Sequence, residues 1–223
     1  MSTLVSLTTR VREKINEATA SFWSDTVINN QINEGYRYYW AFITKLHESY
    51  FNKSVNISFD ANAAGEYTIS SDVFRVRLVS RLLTNEKVPL RYFERYDSAV
   101  SKTLGNSDYN LPSYRFNGSK IKFEPAPDFT ETNAIEVEIT KLLTDLSASQ
   151  DTDSEYPALA LDCVVLRATI KCKAIEEMVS GGGVDTAPFV ADLMTTEQTL
   201  KELLEQRTSQ RVEVEQFGIE EDL

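Results

Sequence analysis

The sequence predicts an α+β fold that is mainly helical. Two N-terminal and two long C-terminal helices form an antiparallel body, with a β-rich region inserted between the pairs and an extended C-terminal tail after them. Three observations lead there. Apolar residues recur at helical spacing in residues 4–15, 28–50 and 189–204, the pattern of helices with a buried face, and residues 159–178 are apolar nearly all round. From residue 52 to about 146 the period drops to two and turn residues multiply, as strands require. Helix punctuation is explicit, with Ser24-Asp25 starting one helix and Gly181-Gly182-Gly183 stopping another. The expected organisation is an N-terminal helical pair at 1–51, a β-rich insert at 52–146, a helical hairpin completing the body at 147–211, and a C-terminal arm at 212–223.

The first helix carries Leu4, Leu7, Val11 and Ile15 on one face, with Arg12, Glu13 and Glu17 expected to turn elsewhere. In the second, Ser24 is a good N-cap and Asp25 puts a carboxylate at the positive end of the helix dipole. Trp23 and Ile28 have the spacing of a hydrophobic staple. Its apolar face runs through Ile28, Ile32, Gly35, Tyr39, Phe42 or Ile43, Leu46 and Tyr50. Glycine inside a helix costs about 1 kcal/mol relative to alanine, so Gly35 suggests that another helix crosses closely there.

In the β region, Phe74, Val76 and Leu78 alternate with Arg75, Arg77 and Val79, and residues 84–87 can turn this strand back into a second one at 88–93. Pro89 cannot donate to a ladder, which places that second strand at an edge. Asn117-Gly118 is the strongest hairpin signal; as the two-residue loop of a type I′ turn it sets Tyr114 opposite Ile121 and Arg115 opposite Lys120. In a last long strand, Ile135, Val137 and Ile139 alternate with Glu136 and Glu138, whose acidic face is expected beside Arg75 and Arg77.

Pro157 suits the first turn of a helix reaching about Val179, apolar nearly all round and therefore central to the body. The next helix starts near residues 185–188 and carries Phe189, Leu193, Leu200 and Leu204 on one side to about Arg207. Beyond Arg211 the chain holds five acidic residues and no basic one, yet keeps Val212, Val214, Phe217, Ile219 and Leu223; this composition suits a tail that folds on a partner.

Composition narrows the function. At 223 residues with 42% hydrophobic content the chain can bury a sizeable core, and a formal charge of −11 argues against a protein that holds nucleic acid by neutralising phosphates. An acidic surface fits instead the wall of a conduit past which DNA slides without sticking. No apolar run is long enough for a bilayer and the N-terminus lacks the layout of a signal peptide, so the expectation is assembly in the cytoplasm with no membrane partner.

Two blocks of sequence carry a family likeness. Arg10, Arg12, Ile15-Asn16-Glu17, Trp23-Ser24-Asp25 and Ile32-Asn33-Glu34-Gly35-Tyr36 follow one another in order. Further on come a strand into Asn117-Gly118, a strand from Ile121 ending in Pro125-Ala126-Pro127, an acidic loop at 151–155 and Pro157 before a long apolar helix. Together they span most of residues 3–180, and the chain resembles the head-to-tail connector adaptors of tailed bacteriophages. The resemblance implies a virion structural protein that forms a ring, commonly dodecameric, under the portal vertex. Its implied partners are the portal protein, a tail, nozzle or tail-completion protein, and further copies of itself, while DNA passes through the channel without specific binding. It also implies docking to the portal through a C-terminal arm, a role that falls here to Val212, Val214, Phe217, Ile219 and Leu223.

Ring closure needs two complementary surfaces on each chain. Residues 72–95 hold six basic and three acidic residues, a local +3 in a chain of −11. Arg75, Arg77 and Arg81, with Glu136 and Glu138 as the acidic counterpart, are the candidates for contact between subunits.

Other features read as structure. Asp151, Asp153 and Glu155 have calcium-loop spacing, but Tyr156 and Pro157 stand where that loop needs its glycine and its next ligand position, so a solvated loop is expected. The triple glycine follows a helix and precedes no Lys-Ser/Thr pair, unlike a phosphate-binding loop. Cys163 and Cys172, nine positions apart, turn about 900° on one helix and fall on opposite faces, so they read as core residues; His47, the single histidine, reads as a surface residue. The cluster from Tyr36 to Trp40 reads as core and interface rather than base-stacking platform. No acid–base pair, nucleophile elbow or cofactor loop is present, so no enzyme activity, cofactor or metal is expected. The competing classes are a nucleic-acid-binding module or other virion accessory protein, which the acidic charge weakens, and a small hydrolase, which no spacing supports.

Overall fold

In the computed structural model the described residues are 2–17, 22–60, 62–63, 65–69, 73–84, 86–92, 112–118, 120–127, 129–147, 152, 156–183 and 185–217, with the backbone alone at 207–217. They form four helices and two antiparallel sheets, an α+β fold. The chain divides into a helical unit, Met1–Tyr50 with Leu143–Leu223, and a β unit, Phe51–Leu142.

The helical unit contains α1 (Leu4–Ile15), α2 (Asp25–Leu46), α3 (Ala158–Ser180) and α4 (Ala187–Phe217). Helix α1 starts with a capping box in which Thr3 and Ser6 satisfy each other's backbone N–H, and ends on Asn16 in the left-handed region. Ser24 caps α2, accepting from the Val27 N–H, and Trp23 and Ile28 are both buried. Helix α3 packs against α1, α2 and α4 and is the centre of this unit. Its two cysteines are buried on different sides, Cys163 near Tyr39 of α2 and Glu197 of α4, Cys172 near Arg12 and Glu17. Gly181 ends α3 at φ 68°, a conformation glycine adopts without steric cost.

Three helical expectations need correction. Helix α2 stops at Leu46, because His47 leaves the helical region and Tyr50 turns back to donate to the His47 carbonyl; Tyr50 is off the helix. Arg12, set apart from the packed face by the sequence pattern, is nevertheless 7% exposed, for a reason given below. Helix α4 runs past Arg207 through Phe217, so the arm is helical in backbone there rather than extended. Residues 201–217 hold no glycine or proline and are rich in Glu, Gln, Lys, Arg and Leu, so Gly218 is the first helix breaker the chain meets.

The β unit contains β1 (Asn52–Phe59), β2 (Glu66–Thr68), β3 (Val73–Leu82), β4 (Lys87–Pro89), β5 (Ser113–Asn117), β6 (Lys120–Glu124) and β7 (Glu131–Lys141). One sheet has the order β1-β7-β3-β4 and the other β2-β6-β5. Both contribute to one core around Phe59, Val79, Ile121, Phe123, Ile135, Val137 and Ile139. Pro89 lies in the edge strand β4, as its missing N–H requires.

The β5–β6 hairpin forms, but its register is displaced from the expected one: Asn117 pairs with Lys120, Phe116 with Ile121, Arg115 with Lys122 and Tyr114 with Phe123. The two-residue loop therefore starts at Gly118, which takes φ 61°, while Asn117 stays in the strand. This choice sets aromatic against apolar side chains twice, and Arg115 reaches Glu124 at 3.4 Å.

Candidate functional site

Several residues of the first block behind the family likeness hold the helical unit together. Arg12 donates to the Trp23 carbonyl at 2.9 Å and to Asp25 at 2.6 Å, so its buried guanidinium ties α1 to the start of α2. Glu17 accepts from the Trp23 N–H at 3.1 Å. Asn33 brackets the Leu146 backbone, accepting from its N–H at 2.8 Å and donating to its carbonyl at 3.2 Å. Glu34 binds Lys171 of α3, which holds the Glu34 carboxyl below its ordinary value. At Gly35 an added Cβ would lie 3.4 Å from Val164 Cγ1 and 3.5 Å from the Val164 backbone, so α2 and α3 meet closely where glycine predicts it. The Tyr36 carbonyl accepts from the Tyr156 hydroxyl at 3.0 Å.

Other polar groups also tie this body together. Arg10 meets Asp162 at 2.5 Å and Arg37 pairs with Asp145. The Tyr39 hydroxyl donates to Glu197, and burial together with that carboxylate drives its pKa far up. Tyr36, Tyr39 and Trp40 are buried, while Tyr38 is exposed with the Arg167 guanidinium 4.0 Å above its ring. Burial pushes the Cys163 thiol up to about 12 and the Cys172 thiol up to about 11, which makes both unreactive near neutrality. His47 is half-buried, beside Ser49 at 3.2 Å and edge-on to Tyr50.

The candidate subunit-contact residues fare differently from one another. Arg81 is buried, with its guanidinium donating to the Ala134 carbonyl at 2.8 Å, pairing with Glu131, and lying over the rings of Phe59 and Phe129. Glu136 and Glu138 are not the ladder partners of Arg75 and Arg77. The ladder sets Thr140 opposite Arg75, Leu78 opposite Glu138 and Ser80 opposite Glu136. Both carboxylates meet Lys87, which reaches across from β4, at 3.0 and 2.5 Å. The Lys87 ammonium and the Ser54 hydroxyl lower the Glu136 pKa, and the two carboxylates raise that of Lys87.

Arg75 and Arg77 are exposed, as is Phe74. The reason lies in the backbone: the β3–β7 ladder slips between Val73 and Arg75 and again between Val76 and Leu78, leaving Phe74 and Arg77 as extra residues in β3. Strict alternation could not have found these irregularities.

Of the arm residues, Val212, Val214 and Phe217 belong to the helical backbone of α4, whereas Ile219 and Leu223 lie outside the described residues. Asp151, Asp153 and Glu155 lie outside them as well; Thr152, between them, is buried and donates its N–H to the Ser2 carbonyl at 2.8 Å. Among the described residues no group of three or more His, Cys, Asp or Glu side chains is placed to hold a metal ion, and no helix is long and apolar enough to cross a membrane.

With these first-block residues placed as joints of the helical body, one comparison decides the lineage: the SU10 adaptor protein family matches the chain over residues 2–214. The chain belongs to that family, one of tailed-phage head-to-tail adaptors. The match takes in both units and ends between Val212 and Phe217 of the arm. No curated protein matches the chain. The adaptor is thus a phage structural protein, and with its first-block residues serving the fold, its exposed surfaces are the places to look for partners.

Proposed function

We propose that this adaptor forms a ring under the portal vertex of a phage capsid, joins the portal to the tail, and surrounds the channel through which DNA leaves. The family match across both units carries this reading. The acidic balance of −11 supports a channel wall that DNA passes without lasting attachment. Portal docking is assigned to the arm, residues 212–223, where α4 projects its helical backbone through Phe217 before the acidic C-terminus. A tail or nozzle protein binds the opposite end of the ring, and the protein acts without enzymatic chemistry as part of the virion, assembled in the host cytoplasm.

The test is incorporation into portal-bearing capsids, followed by mass measurement and imaging. The full chain is expected to load as a ring, and a chain lacking residues 212–223 to fold normally and fail to load. Loading of the shortened chain at the full-length level would move the portal contact to the helical body. Retention of duplex DNA with a steep salt dependence would favour a nucleic-acid-binding protein instead.

A further inference from the structure

Helix α4 is the most loosely held helix among the described residues. Within 187–206 only Leu200 and Leu204 are buried, against six residues on α1, seven on α2 and nine on α3, and Val190 and Met194 stand exposed on it. Polar contacts add to its attachment: Glu197 accepts from the Tyr39 hydroxyl of α2, and the Lys173 ammonium of α3 lies 5.4 Å from the centre of the Phe189 ring. Between α3 and α4 the chain has a pivot. An added Cβ would meet nothing within 4 Å at Gly181 or Gly183, and at Gly182 only the Ser180 hydroxyl at 3.8 Å. Gly181 takes the positive φ that ends α3, whereas Gly182 and Gly183 answer no demand of packing or of left-handed backbone, so what they contribute is conformational freedom between the two helices.

We infer that α4 is exchanged between neighbouring copies: on assembly it swings out about Gly181-Gly182-Gly183 and packs Leu200 and Leu204 against α2 and α3 of the next copy. This assignment rests on the ring reading above and names the contact that holds the ring together. A ring contact is heterologous, and an exchanged helix supplies one without a new complementary surface, because the groove that receives α4 is already fitted to it. Tyr39 of one copy then binds Glu197 of the next. The closed and exchanged forms make the same contacts away from the pivot, so concentration sets their balance: a dilute chain keeps its own α4, and copies crowded on one portal exchange theirs. The few buried residues of α4 keep the cost of its release low.

Cysteine trapping tests it, because Cys163 lies near Tyr39 and Glu197. Two chains are mixed in equal amounts: E197C/C163A/C172A, whose single thiol is on α4, and C172A, whose single thiol is Cys163. A disulfide between α4 and Cys163 in this mixture can only join two chains. Mild oxidation after loading onto portal-bearing capsids should give a covalent heterodimer that is nearly absent from the dilute free mixture. E197C/C172A carries both thiols and should oxidise within one molecule when free; the locked chain should lose loading and regain it on reduction. If E197C disturbs the helix, K173C and F189C, each on a chain without other thiols and joined by a short bifunctional maleimide, give the same readout. Loaded rings in which E197C/C172A links only within single chains, with no heterodimer in the mixture, overturn the exchange and leave the ring intact, as does loading of the locked chain at the parent level. Failure of the parent chain to load at all overturns the ring reading itself.

Discussion

Each unit buries an arginine, and the two hold theirs in different surroundings. In the helical unit Arg12 lies at the turn between α1 and α2, bound to the Trp23 carbonyl and Asp25, while Arg10 with Asp162 and Lys171 with Glu34 join helices at their margins with side chains about two-fifths exposed, and the rest of the interior is left to Leu7, Ile28, Ile32, Tyr36 and the apolar side chains of α3. In the β unit Arg81 adds aromatic cover, serving a backbone carbonyl, a carboxylate and two aromatic faces at once. A helix satisfies its own backbone, so Arg12 serves the Trp23 carbonyl where the chain runs between two helices. Where the β1–β7 ladder is interrupted between Ile57 and Phe59, the Ala134 carbonyl takes its donor from a long cationic side chain that also lies over aromatic rings. Marginal ion pairs add little stability, whereas a buried arginine is a joint whose removal leaves an orphaned acceptor.

The largest effect should come from Phe123→Ala, which removes a fully buried ring in contact range of Phe59 and Tyr67 and is expected to cost the β unit about 3–5 kcal/mol. Both cysteines belong to α3 in the helical unit, so thiol labelling at mild alkaline pH reads that unit alone. If the units have independent cores, labelling of Cys163 and Cys172 stays slow while amide exchange in β6 and β7 accelerates; acceleration of both would merge the two units into one cooperative body.

A smaller loss, about 2–3 kcal/mol, is expected for Arg81→Met, which keeps most of the apolar contact but strands the Ala134 carbonyl. Glu131, 40% exposed, can turn to water and softens the penalty. Denaturant midpoints of Arg81→Met and of Arg10→Met should therefore differ, with the second within about 1 kcal/mol of the parent. Equal losses would remove the distinction between buried joint and marginal pair.

The smallest expected pair of effects is at Gly35. Gly35→Ala gains helix propensity of about 1 kcal/mol and meets Val164 at the limit of ordinary contact, so stability should change little, whereas Gly35→Leu overfills the crossing and should cost about 1–3 kcal/mol. A tolerated leucine would mean that α2 and α3 can part there without loss.

How much was legible follows from how far each interaction reaches along the chain. The Ser24 cap, the stop at Gly181 and the apolar faces of α1 and α3 rest on neighbours within a turn or two, so their residues announce them, and Gly35 announced a distant contact with Val164 because a glycine inside a helix is locally costly. The buried role of Arg12 was not legible, because an arginine on the margin of an amphipathic helix looks like a solvated one until the turn that brings Trp23 and Asp25 to it is known. The length of α4 was partly legible in Gly218, but the acidic composition of the last residues drew attention away from their helix propensity.

By itself the sequence determined the α+β class, the order of helical and β regions, the helix ends marked by Ser24 and Gly181, the edge position of Pro89, and the family likeness, since all of these are written in local periodicity, caps and ordered motifs. Only the tertiary structure decided which charges meet. The loop starting at Gly118 rather than Asn117, the two slips that turn Phe74 and Arg77 outward, and the capture of Glu136 and Glu138 by Lys87 depend on the register between strands. A slip of one residue changes every cross-strand partner while leaving local propensities almost untouched, so the register is set by the packing of the whole sheet.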